Sequence, residues 1–250
     1  MARRRHATAR ADDSVFEPFF APGHAPERGK HPFLAVAEPA RERSYLAKIR
    51  PQSDGQRALM AALESHSLTM ALGPAGSGKT YLAIAAAVEA LTAGRVGRIV
   101  LTRPAVEAGE NLGFLPGEME DKLAPYLRPL YDALNERIGG KRVKQLMTEG
   151  AIEIAPVAFM RGRTLNNAFI VIDEAQNCTY GQIKMLLTRL GWHSTMVVTG
   201  DPDQSDLLDG LSGLAETARR LVPVPGVAVI RLTDHDIVRH PLVGEMLTVL

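Results

Sequence analysis

The sequence predicts an α/β fold, a mostly parallel sheet with helices on both faces. Three observations predict it. Six short apolar runs recur between residues 67 and 232, longer stretches with helical spacing separate them, and the polar signatures fall at the C-terminal ends of the runs. Near-continuous apolar strands are the mark of a parallel sheet buried on both faces, and open parallel sheets bind ligands beyond the carboxyl ends of their strands.

The elements follow in order. SLTMALG (67–73) reads as the first strand and runs into GPAGSGKT (73–80), after which a helix is predicted from Lys79 to Ala93. GRIVLT (97–102), AIEIAP (151–156) and AFIVID (168–173) read as the next three strands. A helix is predicted from Gly181 to Leu190, followed by strands at TMVVTGD (195–201) and VAVIRL (227–232). At 250 residues the chain holds one full core plus an appendage, divided as an arm over 1–50 and a single domain over 51–250.

Hydrophobic residues make up 46% and charged residues 23%, the composition of a globular protein, and no apolar run has the length of a membrane span. The arm carries ten Lys/Arg against six Asp/Glu, while the remainder carries nineteen against twenty-two, so the basic excess is local. Such an arm suits an accessory nucleic-acid or partner contact, and equally a solvated tail. Its start, MARRRHATAR, is followed by acids and prolines instead of an apolar core, so no export signal is expected. A single cysteine, Cys178, excludes an internal disulfide and fits a reducing, cytoplasmic setting; it reads as a small packing residue. Trp192 and most methionines read as core or interface packing.

GPAGSGKT matches G-x-x-x-x-G-K-[ST] between a predicted strand and a predicted helix. Gly73, Pro74, Ala75, Gly76, Ser77 and Gly78 supply backbone that curls N–H groups onto phosphate oxygens, and the helix adds its positive end. Lys79 reaches the outer phosphates and the Thr80 hydroxyl suits magnesium. AFIVIDEAQ delivers Asp173 and Glu174 to a strand end, where Asp173 suits the metal and Glu174 suits the base that orients water. Gln204, in VVTGDPDQSD, is placed to report on the γ-phosphate. Gln52 and Gln56, ahead of the first strand, suit an adenine edge, and no [NT]-K-x-D guanine-reading sequence occurs, which favours ATP over GTP.

With these residues assembled, the chain resembles the PhoH-like ATPases, phosphate-starvation-type proteins related to superfamily 1 RNA helicases. GPAGSGKTYLA, LTRPAVEAGENLGFLPG, YLRPLYDAL, MRGRTLNNAFIVIDEAQN, MLLTRLG, GDPDQSDL and DIVRHPLV carry the resemblance, in family order over roughly 51–245. It implies a RecA-like ATPase core using ATP and Mg2+ and acting with single-stranded RNA. It also implies a ring-shaped homo-oligomer, a hexamer among the allowed sizes, and for bacterial members it allows a metal-dependent endoribonuclease partner. By the same resemblance Gln56 is the adenine reader, Gln204 the γ-phosphate sensor, and Arg239 in DIVRHP an arginine that stabilises transition-state charge. The chain departs from the family pattern in DEAQNCTY, in the extra acid Asp203, and in lacking an aromatic ahead of DIVRH.

Arg103, Arg161 and Arg163 fall near strand ends, where they suit RNA phosphates or, equally, ion pairs with Glu107, Glu110 or a neighbouring subunit. No second motor domain is recognised, so unwinding by one isolated subunit is not expected. Two readings stand: an ATPase coupled to RNA handling, and a nucleotide-gated scaffold that docks an endoribonuclease. A small-molecule kinase is disfavoured, because Glu174 suits activation of water.

Overall fold

The structure is a computed structural model and describes residues 49–104, 119–208 and 210–238. Most of the basic arm, Glu107, Glu110 and Arg239 lie outside the described residues.

Six strands form one sheet: β1 (Leu68–Leu72), β2 (Arg98–Arg103), β3 (Ile152–Pro156), β4 (Ala168–Ile172), β5 (Thr195–Gly200) and β6 (Val227–Arg231). Their order is β3-β2-β4-β5-β1-β6 and every pairing is parallel. Each strand coincides with a predicted run to within a residue or so at either end. The helices are α1 (Asp54–Ser65), α2 (Lys79–Thr92), α3 (Met119–Ile138), α4 (Gly140–Thr148), α5 (Tyr180–Leu187) and α6 (Leu214–Leu221).

Alternation along the strands sorts the core into two layers, because successive side chains point to opposite faces. Ala71, Ile99, Leu101, Phe169, Val171 and Val197 face α1 to α4, packing on Leu59, Ile84, Leu130 and Leu146. Met70, Leu72, Val100, Ile170, Ile172 and Val198 face the other way, onto Ile183 and Leu186 of α5 and Leu214 and Ala218 of α6. The α/β, RecA-like class therefore stands as predicted: helices cover both faces, and one strand, β5, lies between the strand feeding the glycine loop and the strand feeding the acids. With neighbouring strands about 4.8 Å apart, that inserted strand sets β1 and β4 roughly 10 Å from each other.

Two packing expectations meet different outcomes. Cys178 is fully buried in the second layer, and burial pushes its thiol up to about 12. Trp192 is not core: it is 82% exposed in the turn before β5. Its backbone is fixed by Asn166, whose Oδ1 accepts from Trp192 N at 2.9 Å, and by Asn167, whose N donates to the Trp192 carbonyl at 2.8 Å. These bonds hold the turn without drawing the indole inward. Among the described residues no helix is long and apolar enough to cross a membrane.

Candidate functional site

The glycine loop is built by close approach. Gly73 leaves β1 with φ 141°, and a Cβ there would sit 2.3 Å from the Leu232 carbonyl oxygen, so the position tolerates only glycine. Gly78 caps α2 at φ 86° with no side-chain hydrogen bond, which leaves the first-turn N–H groups of a 14-residue helix without a side-chain acceptor. That end of the helix is positive and suits an anion. Lys79, buried at its foot, donates from Nζ to the carbonyl oxygens of Gly73 (2.6 Å) and Pro74 (2.7 Å). Burial holds its ammonium below the ordinary lysine range, opposed by the carboxylates of Asp201, Glu174 and Asp173.

Across the sheet, β4 carries Asp173 to its C-terminal end, 2% exposed. Its Oδ1 accepts two hydroxyls, Thr80 Oγ1 and Thr199 Oγ1, each at 2.6 Å. Strand order makes this possible. β5 pairs with both β1 and β4, so Thr199 lies between the loop strand and the acid strand.

Glu174 follows with φ 52°, a left-handed conformation that costs a glutamate of order 1 kcal/mol or more and persists where the surroundings impose it. Gln176 holds its carboxylate. Buried among the catalytic candidates, it donates from Nε2 to Glu174 Oε2 and accepts at Oε1 from the Asp201 N–H at 3.1 Å. On the other side, the Arg103 guanidinium lies 3.7 Å from Asp173 Oδ2 and 3.4 Å from Glu174 Oε1.

The loop bearing Gln204 is tied to the same turn. Asn177 Nδ2 donates to Asp206 Oδ2 and Asp206 N donates to Asn177 Oδ1, both at 2.8 Å, while Ser205 Oγ donates to the Gln176 carbonyl at 3.1 Å. Gln204 is exposed within this pinned loop. Asp203 is also exposed, its N–H donating to Asp201 Oδ1 at 3.1 Å.

These pieces enclose one cavity of about 340 Å³, lined by Ala75, Gly76, Gly78, Lys79 and Thr80 from the loop, Asp173 and Glu174 from the acid strand, and Gln176, Asp201 and Gln204. Anion-binding backbone thus faces a hydroxyl, three carboxylates and two side-chain amides. Thr80 and Asp173 offer hard oxygen donors suited to magnesium. Among the described residues no group of three or more His, Cys, Asp or Glu forms a metal cage of its own.

The predicted residues divide accordingly. Gly73 to Thr80, Asp173, Glu174 and Gln204 come together. Gln56 sits behind the loop instead of in the cavity: it is 5% exposed, its Oε1 accepts from Gln52 N (2.9 Å) and its Nε2 donates to the Ser77 carbonyl (3.2 Å). One lone pair and one N–H remain on that amide. Arg103 lies on the acidic pair and Arg163 forms a two-pronged pair with Glu153, while the predicted alternatives Glu107 and Glu110 lie outside the described residues. Arg161 is exposed. Arg239 is outside the described residues, although Val238 just before it donates its N–H to the Gly76 carbonyl at 3.1 Å.

Thr199, Gln176 and Asp201 were missed by sequence reasoning. The hydroxyl in VVTGD beside a strand end was the available signal for Thr199, but its partner depends on strand order. Asp236 was missed as well. It accepts from Thr233 N at 2.7 Å and Thr233 Oγ1 at 3.2 Å, and its carboxylate lies against Gly55 at the start of α1. The Ser53 hydroxyl, ahead of Thr233, holds its carboxyl below the usual aspartate range.

Comparison with known proteins adds to this geometry. A sequence profile described as PhoH-like protein matches residues 48–250. The chain is 53% identical over 200 residues to a PhoH-like protein of Bacillus subtilis, covering 80% of this chain and 63% of that one. It is 49% identical over 230 residues to a PhoH-like protein of Synechocystis, covering 89% and 69%. With Protein PhoH of Escherichia coli it shares 44% over 206 residues, covering 81% and 58%. The chain thus spans roughly three fifths of the length of the Bacillus and Escherichia relatives.

Proposed function

The chain belongs to the PhoH-like protein family, and from that membership and the site we infer that it binds ATP with Mg2+ and hydrolyses it in the service of RNA metabolism. The observation that carries the reading is the Thr80–Asp173 hydrogen bond, which joins the glycine loop to the acid strand inside the cavity that also holds Glu174. Thr80 and Asp173 would hold the metal. Bound there, magnesium would neutralise charge on the phosphates. The loop N–H groups and Lys79 bind and orient the triphosphate. Glu174 holds the attacking water and accepts its proton, and Gln204 touches the γ-phosphate end. The test is ATP turnover with and without Mg2+ and across a panel of single-stranded RNAs; no turnover in any condition overturns the reading.

RNA contact is assigned to exposed Arg161 and the basic arm, since Arg103 and Arg163 have carboxylate partners. Removing residues 1–30 should flatten the salt dependence of RNA affinity, each neutralised phosphate contributing about 0.7 to the log–log slope. Arg239 is proposed to act on a neighbour's nucleotide in a ring-shaped homo-oligomer. Mixed rings of R239A and K79A subunits should recover activity that neither has alone, and failure to recover in proven mixed rings removes the assignment.

The scaffold reading draws support from one observation. Leu208 and Leu211, 80% and 50% exposed, directly follow the pinned Gln204 loop, so an apolar pair suited to a protein partner sits beside the nucleotide sensor. Stimulation of turnover by an endoribonuclease, and not by RNA, would favour it.

A further inference from the structure

Arg103 ends β2, and its two contacts with the acidic pair are unlike the others in the site. Asp173 Oδ1 is taken by two hydroxyls at 2.6 Å, and Glu174 Oε2 by the Gln176 amide. Arg103 faces the remaining oxygens, Asp173 Oδ2 and Glu174 Oε1, at 3.7 and 3.4 Å. Neither separation is that of a direct N–H···O bond. The guanidinium is therefore held by charge, not locked by geometry.

Charge balance explains why it is there. Asp173 and Glu174 are consecutive, and the Asp173 side chain is only 3% exposed, so two carboxylates kept together as anions repel each other unless a cation is near. Lys79 feels both carboxylates as well, but its ammonium donates to the carbonyls of Gly73 and Pro74, whereas the Arg103 guanidinium lies within 3.7 Å of both acids. The Arg103 side chain is 22% exposed, so part of it faces solvent.

We propose that Arg103 is a place-holder for the divalent cation: without metal its guanidinium neutralises Asp173 and Glu174, and it yields the position when the metal arrives. The inference rests on the magnesium-nucleotide reading above and assigns a positioning residue within it. It gives Arg103 two effects of opposite sign. Arg103 shields an incoming triphosphate from the acids when no metal is present, and it competes with free metal for those same acids.

Both effects are measurable on the full chain. The affinity of a fluorescent N-methylanthraniloyl ATP is measured in excess EDTA and in excess Mg2+ for the parent, R103A, R103Q and R103K. Mn2+ affinity without nucleotide is followed by electron paramagnetic resonance. R103A and R103Q should lose about tenfold in EDTA but less than about threefold in Mg2+, the scale of one charge a few ångströms away in a partly solvated site. R103K should stay near the parent, and Mn2+ should bind both neutral variants more tightly than it binds the parent. If R103A does not fold, R103Q against R103K decides. Equal losses in EDTA and Mg2+, or Mn2+ affinity unchanged or weakened, overturn the assignment while leaving nucleotide binding intact. A parent protein that binds no nucleotide in Mg2+ overturns the functional reading and this inference together.

Discussion

Thr80 and Asp173, 93 residues apart in sequence, meet at 2.6 Å, with the threonine hydroxyl donating to the carboxylate. One residue sits in the first turn of α2 and the other directly follows β4, so the contact exists only because β1, β5 and β4 lie side by side. The same carboxylate oxygen takes Thr199 from the intervening strand. Loop, middle strand and acid strand are thereby fastened at one atom, where the metal-binding groups are needed.

Glu174→Gln should retain Mg-ATP binding and lower turnover by about 10² to 10⁴-fold, because the amide cannot take a proton from water. Lys79→Ala should instead weaken nucleotide affinity, since its ammonium acts on phosphate charge. Equilibrium binding and steady-state turnover of the two variants separate these effects; normal hydrolysis by the glutamine variant removes Glu174 as the base.

Thr199→Val keeps shape and deletes one of the two hydroxyls on Asp173. Loss of a buried hydrogen bond to a charged group should cost roughly 1.5 to 3 kcal/mol in urea unfolding. The Mg2+ concentration needed for half-maximal turnover should rise as well. A variant as stable as the parent would show that Thr80 alone secures the carboxylate.

Gln176→Leu removes the amide that joins Glu174 to the Asp201 backbone. Turnover should fall by about tenfold or more while nucleotide affinity changes little, since positioning is lost and phosphate contacts are kept. Equal loss in both parameters would mark Gln176 as merely structural.

Asp236→Asn tests a pH dependence whose sign is fixed by the lowered carboxyl. A depressed folded-state pKa adds stability above the unfolded value, near 3.9, and that stability is lost as pH falls through the folded value. The variant should therefore melt below the parent at pH 7, and the gap should begin to narrow near about pH 4 and vanish only below the depressed folded value. A gap independent of pH would assign the loss to shape instead of charge.

Cys178, buried with its thiol pushed up to about 12, should resist alkylation in the folded state and react only on unfolding. Labelling by iodoacetamide at neutral pH, read by mass spectrometry with and without urea, checks this.

The strands, the loop and the acid pair were legible because each depends on local pattern: apolar runs, three glycines before a lysine, two acids ending a strand. Thr199 and Gln176 were not, since their roles arise from which strands are neighbours and how the turn after β4 folds back. Arg163 shows the same limit. It stands ten residues beyond Glu153, and nothing in the intervening sequence signals that β3 and the turn after it would bring guanidinium and carboxylate together. Trp192 answers only half of its reading: it is not core, because its neighbours hold the backbone of the turn and leave the ring outside, where interface packing stays open to it.

That exposed turn has a use of its own. Trp192 is the chain's single tryptophan, and β5 separates it from the Gly200 end by roughly 17 Å of strand. Its emission is therefore a built-in spectroscopic reporter for the edge of the molecule opposite the cavity. Ligands entering the cavity should leave the emission maximum in place, whereas any protein that covers this edge should shift it to the blue without an attached dye.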